Sequence, residues 1–194
     1  MLAREVALPA GRRLPAPRLV GDVHVTAAVV GARDRALALA LCARAGHGVL
    51  VRRSAAWVWS GEAELRPEHV DLARPPDGPP LPGRRPDVGP GLPVRLTRWE
   101  PAGTWTLLDG VPLTDPGRTA VECARSLPLR LARTCVEALA AAPGFDVAAA
   151  LTEVRAGGAR PGRRQAEDLL GSLPDQPLPG QPSTTSRCTP LVTR

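Results

Sequence analysis

The stretch TWTLLDGVPLTDPGRTAVECARSL, Thr104 to Leu127, changes from a strand pattern to a helix pattern within a few residues. Asp109-Gly110 is a hairpin-type dipeptide, so the residues on either side of it are predicted to form two strands joined by a turn. Asp115 is a good N-cap and Pro116 a good first helical residue, and an apolar stripe with a period near 3.6 follows them. Strands that lead directly into helices predict an α+β fold.

Upstream of this stretch, short β-branched runs flank one segment rich in alanine and leucine. Residues 33–45 alternate these two residues, but both favour a helix, and Asp34 and Gly46 suit its two ends. Ser54 is expected to cap a short helix over Ala55–Ser60. The predicted strands are 18–25 with a turn or bulge at Gly21-Asp22, 48–52, 69–74 and 92–100, and the Pro- and Gly-rich residues 74–91 are predicted to form an exposed loop.

The predicted organisation has four parts. Three helices are expected after the one that begins at Asp115, over 129–142, 146–157 and 163–170. The α+β body has a small mixed sheet with short helices, and a helical C-terminal subdomain packs on it. The four parts are a basic disordered arm over 1–17, the body over 18–113, the helical subdomain over 114–170 and a disordered tail over 171–194.

The composition excludes several kinds of chemistry. The chain has no lysine and no tyrosine, and all 25 basic residues are arginine. Without lysine the chain has no phosphate-loop lysine and no Schiff-base chemistry, and arginine cannot replace lysine because it stays charged and exchanges no proton at working pH. Without tyrosine it cannot carry out tyrosine-mediated strand transfer. No catalytic triad, carboxylate pair or phosphate loop is found, so no catalytic residue is assigned.

The net charge of +6 suggests a nucleic-acid partner, but its distribution weakens that inference. Residues 1–48 hold seven arginines against three acidic residues, and Arg12 and Arg13 lie in this arm. Residues 49–113 hold eight of each sign, and residues 114–170 hold eight arginines against seven acidic residues. The sequence therefore predicts a basic arm on a nearly neutral body.

Neither metal nor cofactor is predicted. The four cysteines form no CxxC pair, and the three histidines have no ligand spacing with them. Cysteines within Leu-, Ala- and Val-rich runs are expected to be buried, reduced thiols. No small-molecule substrate is evident, and the sequence predicts a cytoplasmic protein with no membrane-spanning or export segment.

The segment LVRRSAAWVWSG, Leu50 to Gly61, is the clearest candidate for a binding surface. Arg52 and Arg53 precede a predicted helix N-terminus, where guanidiniums and amide donors favour an anion; the alternative is a solvated charged turn. Trp57 and Trp59 point about 200° apart on a helix, so one is expected in the core and the other half-exposed. A helix-turn-helix over 33–60 is disfavoured, because the residues after the turn prefer a strand.

Two segments carry a family resemblance. GVLVRRSAAWVWSG (48–61) and LLDGVPLTDPGRTAVECARSLPL (107–129) resemble the actinobacterial AbiEi-type, or type IV toxin–antitoxin, antitoxin-like and transcriptional-regulator proteins. The resemblance covers about residues 18–170 and implies transcriptional autoregulation and antagonism of a nucleotidyltransferase toxin. The motif residues of this chain that match are Arg53, Ser54, Ala55, Ala56 and Trp57 in the first segment, and Gly110, Val111, Thr114, Pro116, Arg118 and Thr119 in the second.

The chain departs from the family in three ways. Residues 1–17 are expected to be too few for the family's N-terminal winged helix-turn-helix, no endonuclease-like domain is predicted after residue 170, and Arg52 stands where a histidine is expected. We therefore expect a non-catalytic regulatory or interaction module. The alternatives are a DNA-binding regulator that uses the basic arm and a remnant of an endonuclease-like fusion protein. The candidate residues for binding DNA or a partner protein are Arg52, Arg53, Ser54, Arg118, Arg12 and Arg13.

Overall fold

The computed structural model describes residues 18–21, 23–24, 29–43, 48–74, 91–98 and 105–174, and they form the α+β fold that the sequence predicts. The elements in chain order are β1 Arg18–Val20, β2 Val23–His24, α1 Ala32–Ala43, β3 Val49–Leu50, α2 Arg52–Ser60, a 3-10 turn Ala63–Leu65, β4 Val70–Arg74, β5 Val94–Arg98, β6 Trp105–Leu108, β7 Val111–Thr114, α3 Pro116–Ser126, α4 Leu129–Ala140, α5 Val147–Ala156 and α6 Arg163–Gly171.

The main sheet is mixed and has the strand order β5-β4-β3-β7-β6. Strand β3 runs parallel to β7 and antiparallel to β4, while β5 runs parallel to β4. The β6–β7 hairpin turns at Asp109 and Gly110, as predicted, and both have the positive φ that a tight two-residue hairpin turn requires. Strands β1 and β2 form a separate two-stranded antiparallel sheet, with a turn at Gly21 as predicted and a register shift between Arg18 and Val20.

One hydrophobic core joins the sheet to all six helices. Leu50, Leu72 and Leu113 from three adjacent central strands are fully buried in it. The same cluster includes Val121 of α3 and Val136 of α4. The predicted helical subdomain is therefore packed on the body through a shared core.

The first turn of α2 differs from the prediction. The helix begins at Arg52 instead of Ala55, and its N-cap position is occupied by Val51 without a side-chain cap. Ser54 therefore lies inside α2, and the expectation that Ser54 caps this helix is wrong. The reason is that Arg52 adopts a positive φ of 52°, which turns the chain from β3 into the helix within one residue.

The two tryptophans of α2 lie as predicted. Trp57 is buried in the core, and Trp59 is half-buried with its indole Nε1 donating to the carbonyl of Thr114 at 2.8 Å. Residues Val49 and Leu50 pair within the sheet, which agrees with the prediction against a helix-turn-helix.

The C-terminal helices follow the capping signals of the sequence. The Asp115 carboxylate accepts the amide of Arg118 at 2.8 Å, and Asp146 accepts the amides of Ala148 and Ala149 at 2.9 and 3.0 Å. These bonds satisfy N-terminal amides that have no partner within the helix. The predicted arm (1–17), the centre of the predicted loop (75–90) and most of the predicted tail (175–194) lie outside the described residues.

Candidate functional site

The polar residues of the two motifs meet where the carboxyl ends of β3 and β7 lead into α2 and α3. We call this region the polar seam; it comprises Ser54, Asp71, Thr114, Arg118, Thr119 and Glu122, with Arg52, His69, Arg95 and Glu153 around them. In mixed sheets, ligands commonly bind beyond the carboxyl ends of parallel strands, so this edge is the natural place to look for a site.

Ser54 connects the start of α2 to the sheet. Its hydroxyl accepts the backbone amide of Asp71 at 2.9 Å, and the amide of Val51 donates to the Asp71 carbonyl at 3.1 Å. Ser54 is fully buried, so it is inaccessible to a ligand. Its assignment as a binding residue is therefore wrong; the hydroxyl extends the β3–β4 pairing by one step.

Asp71 is a buried carboxylate next to a half-buried histidine. Its Oδ1 lies 3.1 Å from His69 Nε2 and 4.0 Å from Arg95 Nε. Burial raises the pKa of Asp71, and the nearby charges of His69, Arg95 and Arg52 oppose that rise. The His69–Asp71 pair was not predicted, although the two residues are two positions apart in the run HVDLAR and so share one face of a strand. Arg95 comes from the neighbouring strand β5, which no local pattern reveals.

Thr114 and Thr119 hold the end of β7 to the first turn of α3. Their hydroxyls are 2.8 Å apart, and Thr119 Oγ1 also lies within hydrogen-bond distance of the carbonyls of Thr114 and Asp115, at 3.1 and 2.7 Å. Both residues are fully buried. The threonines of the second motif therefore fix the angle at which the helix leaves the strand.

Arg118 is buried between two glutamates, with only 4% of its side chain exposed. Its Nε donates to Glu122 Oε1 at 3.0 Å, and its terminal nitrogen donates to Glu153 of α5. Two carboxylates thus neutralise the guanidinium and join α3 to α5. These contacts give Arg118 a role within the fold and leave its guanidinium little access to the nucleic acid or partner that the sequence predicts for it.

The two arginines at the start of α2 have different surroundings. Arg53 donates from its guanidinium to the carbonyls of Leu65, Glu64 and Arg66 at 3.2, 3.1 and 2.9 Å, so it clamps the 3-10 turn. These bonds give Arg53 a structural role, and its contact with an anion stays a prediction. Arg52 is half-buried, and its charge favours ionisation of both Asp71 and Glu122.

Arg52 and Arg53 are therefore the predicted binding residues that stay partly accessible within the described chain, and Arg52 lies near two acidic groups. Arg12 and Arg13 lie outside the described residues.

Glu122 of α3 is mostly buried, with 18% of its side chain exposed. Its Oε2 is buried and forms no well-aligned hydrogen bond with any described residue. Burial raises the pKa of Glu122, while the charge and hydrogen bond of Arg118 and the nearby amide and charge of Arg52 lower it.

The raised pKa of Glu122 predicts a pH-dependent effect of Glu122→Gln. The folded state binds this proton more tightly than the unfolded chain, so the stabilisation from Glu122 is full below its ordinary pKa of 4.5 and is lost as pH rises through the raised value. Glutamine carries no ionisable proton, so Glu122→Gln does not lose stability in this way as pH rises. Chemical unfolding should therefore show the variant gaining stability relative to wild type between acidic and neutral pH, with exposed Glu137→Gln as the control for one lost charge. A difference independent of pH would contradict the assignment.

One cavity lies away from the polar seam. A shallow cavity of about 200 Å³ lies at the opposite end of the sheet, lined by Ala40, Gly48, Leu50, Leu72, Gly110, Val111 and Pro112. This is below the usual size of a small-molecule site, and its lining carries no charge. Within the described residues, no three His, Cys, Asp or Glu side chains come together as metal ligands, and no helix is long and apolar enough to cross a membrane.

Three cysteines are buried free thiols, in agreement with the prediction for Cys42, Cys123 and Cys135. Cys123 of α3 and Cys135 of α4 interact with each other. Burial raises the pKa of the Cys123 thiol, and the hydrogen bond with Cys123 lowers the pKa of Cys135. Cys188 lies outside the described residues.

Comparison with known protein families, with curated proteins and with solved structures found no match for this chain. The function is therefore inferred from the residues and their geometry.

Proposed function

We propose that the chain is a non-catalytic regulatory or interaction module of the antitoxin-like type, with a role in transcriptional regulation. The observation that carries this proposal is that the polar groups of the motif residues form hydrogen bonds within the chain. Ser54, Arg53, Thr119 and Arg118 each bond to another part of the same chain. A reaction centre needs such groups directed at a ligand, whereas a scaffold uses them internally.

The internal bonding explains why the two motifs belong together. The first motif forms α2 and the second forms β7 and α3, and Trp59 of the first donates to Thr114 of the second. Together they hold the sheet against the helices. The resemblance to AbiEi-type proteins, given above, supports a regulatory role for a body built this way.

The proposal predicts repression in a reporter assay. The full chain, expressed in cells that carry a reporter behind the chain's own upstream region, should lower reporter output several-fold. The control is a variant that carries Arg118→Gln, which is expected to destabilise the fold and to lose repression in proportion to the protein that remains soluble. Unchanged output with soluble, folded wild-type protein would overturn the proposal. Nicking of duplex DNA on addition of magnesium would favour the endonuclease remnant instead.

A further inference from the structure

Positive charge is concentrated at one corner of the helical region, although residues 114–170 are almost neutral in sum. Residues 123–136 and 157–166 each contain three arginines and no aspartate or glutamate. The seven acidic residues lie elsewhere, and two of them neutralise Arg118. We call the six arginines of the two acid-free stretches the arginine corner: Arg125, Arg130, Arg133, Arg160, Arg163 and Arg164.

The two stretches are packed against each other by specific contacts. Gln165 of α6 donates through Nε2 to the carbonyls of Ala124 and Leu127 at 2.7 and 3.0 Å, at the end of α3. Arg125 donates through Nε to the carbonyl of Pro161 at 3.3 Å. Gly162 then lies directly on the backbone of Arg125, where any side chain would collide with its carbonyl. The arginines of both stretches therefore lie around one rigid junction.

The corner presents its charge to solvent. Arg130, Arg133, Arg160 and Arg164 are exposed. Arg130 and Arg133 are three residues apart on α4 and so share a face. Arg163 contributes less, because its Nε pairs with Glu167 at 3.0 Å. The next acidic residues are Glu137 along α4 and Glu167 and Asp168 along α6, all beyond the first turn of their helices. Glu137 lies four residues after Arg133 and Asp168 four after Arg164, so each shares a helix face with that arginine and reduces its contribution.

The ends of two helices add to this positive potential. Helices α4 and α6 both begin at the corner, and their N-cap residues, Pro128 and Gly162, provide no side-chain cap. Helices α3 and α5, which begin elsewhere, are capped by Asp115 and Asp146. Uncapped N-terminal amides carry a partial positive charge that suits phosphate oxygens.

We propose that the arginine corner binds the phosphate backbone of duplex nucleic acid without reading its sequence. Guanidinium groups bind phosphate oxygens through paired hydrogen bonds, and backbone contacts of this kind position a protein without base specificity. A protein partner would need an apolar centre in the interface, and the corner has one exposed large apolar side chain, Leu129. The inference rests on the proposed regulatory function for its biological use, while the binding itself is measured separately.

The test is binding of the full chain to a short fluorescent duplex of mixed sequence, followed by anisotropy as salt is varied. We expect the logarithm of affinity to fall linearly with the logarithm of salt, by about 0.9 for each phosphate contacted. Replacing both Arg130 and Arg133 with glutamine should make this slope shallower by roughly 1.8. The matched control replaces Arg33 and Arg66, exposed arginines outside the corner, with glutamine and should keep the wild-type slope.

The other possible outcomes either assign the binding to another surface or overturn one of the two proposals. An unchanged slope in the Arg130/Arg133 variant overturns the proposal, and loss of binding in an Arg12→Gln/Arg13→Gln variant alone assigns the contact to the N-terminal arm. Binding of poly-glutamate without binding of the duplex assigns the corner to an acidic protein and also overturns it. Duplex binding at the corner with no effect on the reporter would refute the regulatory function and leave the corner intact. Repression that survives in the corner variant, together with an unchanged salt slope, would refute the corner and leave the regulatory function intact.

Discussion

Gly162→Ala is expected to be among the most destabilising single substitutions in the described chain. Gly162 has a φ of +74°, and an added Cβ would lie 2.1 Å from the carbonyl oxygen of Arg125. The left-handed backbone costs a non-glycine residue about 1–2 kcal/mol, and the collision with a backbone atom of α3 adds a cost of about 1–3 kcal/mol. We expect the free energy of unfolding to fall by about 3 kcal/mol in denaturant titrations.

Gly144→Ala is the matched control for the backbone term alone. Gly144 has a φ of +80°, but an added Cβ would meet nothing within 4 Å. The free energy of unfolding of Gly144→Ala should therefore fall only by the cost of the left-handed backbone, about 1 kcal/mol. Equal losses in the two variants would contradict the close packing of the α5–α6 junction on α3.

The second large effect is expected from Arg118→Gln. Removing the guanidinium leaves Glu122 and Glu153 facing each other without their shared counter-charge, and loss of one partner from a buried ion pair costs about 3–5 kcal/mol. Arg133→Gln makes the same chemical change at an exposed position of α4 and should stay within about 0.5 kcal/mol of wild type. Thermal and denaturant unfolding of the two variants provide the comparison.

A triple variant distinguishes a charge effect from lost packing. Arg118→Gln combined with Glu122→Gln and Glu153→Gln removes the uncompensated carboxylates and should recover part of the lost stability. If the triple variant were no more stable than Arg118→Gln alone, the loss would reflect the packing of the arginine side chain instead.

The local signals in the sequence predicted the helices and the hairpin well. Asp109-Gly110, Asp115-Pro116 and Asp146 act within a few residues of themselves, so the turn and caps they specify appear where the sequence puts them. The fold class followed from these signals, because the β6–β7 hairpin, α3 and α5 each carry their own boundary residues.

The site was harder to predict because its contacts cross between elements. Ser54 has the spacing of an N-cap, but its partner is the amide of Asp71, which only the pairing of β3 with β4 brings close. Arg118 reads as a surface arginine in a helix, yet Glu153 reaches it from α5, 35 residues away. No local pattern encodes either contact.

The charge distribution illustrates the same limit. The net charge of residues 114–170 is close to zero, although this region contains two stretches with arginines and no acidic residues. Each stretch is recognisable in the sequence as a local group of arginines without an acidic residue. Their meeting at one corner depends on Gln165 and Gly162, which join α6 to the end of α3.

The arginines belong to two groups, those that hold the fold and those that are proposed to face an outside ligand. The most direct measurement of this division is the salt dependence of duplex binding by Arg118→Gln, taken well below its unfolding temperature. We predict a slope equal to that of wild type, because Arg118 contacts Glu122 and Glu153 and no phosphate. A slope shallower by about 0.9, the value for one lost phosphate contact, would contradict the account.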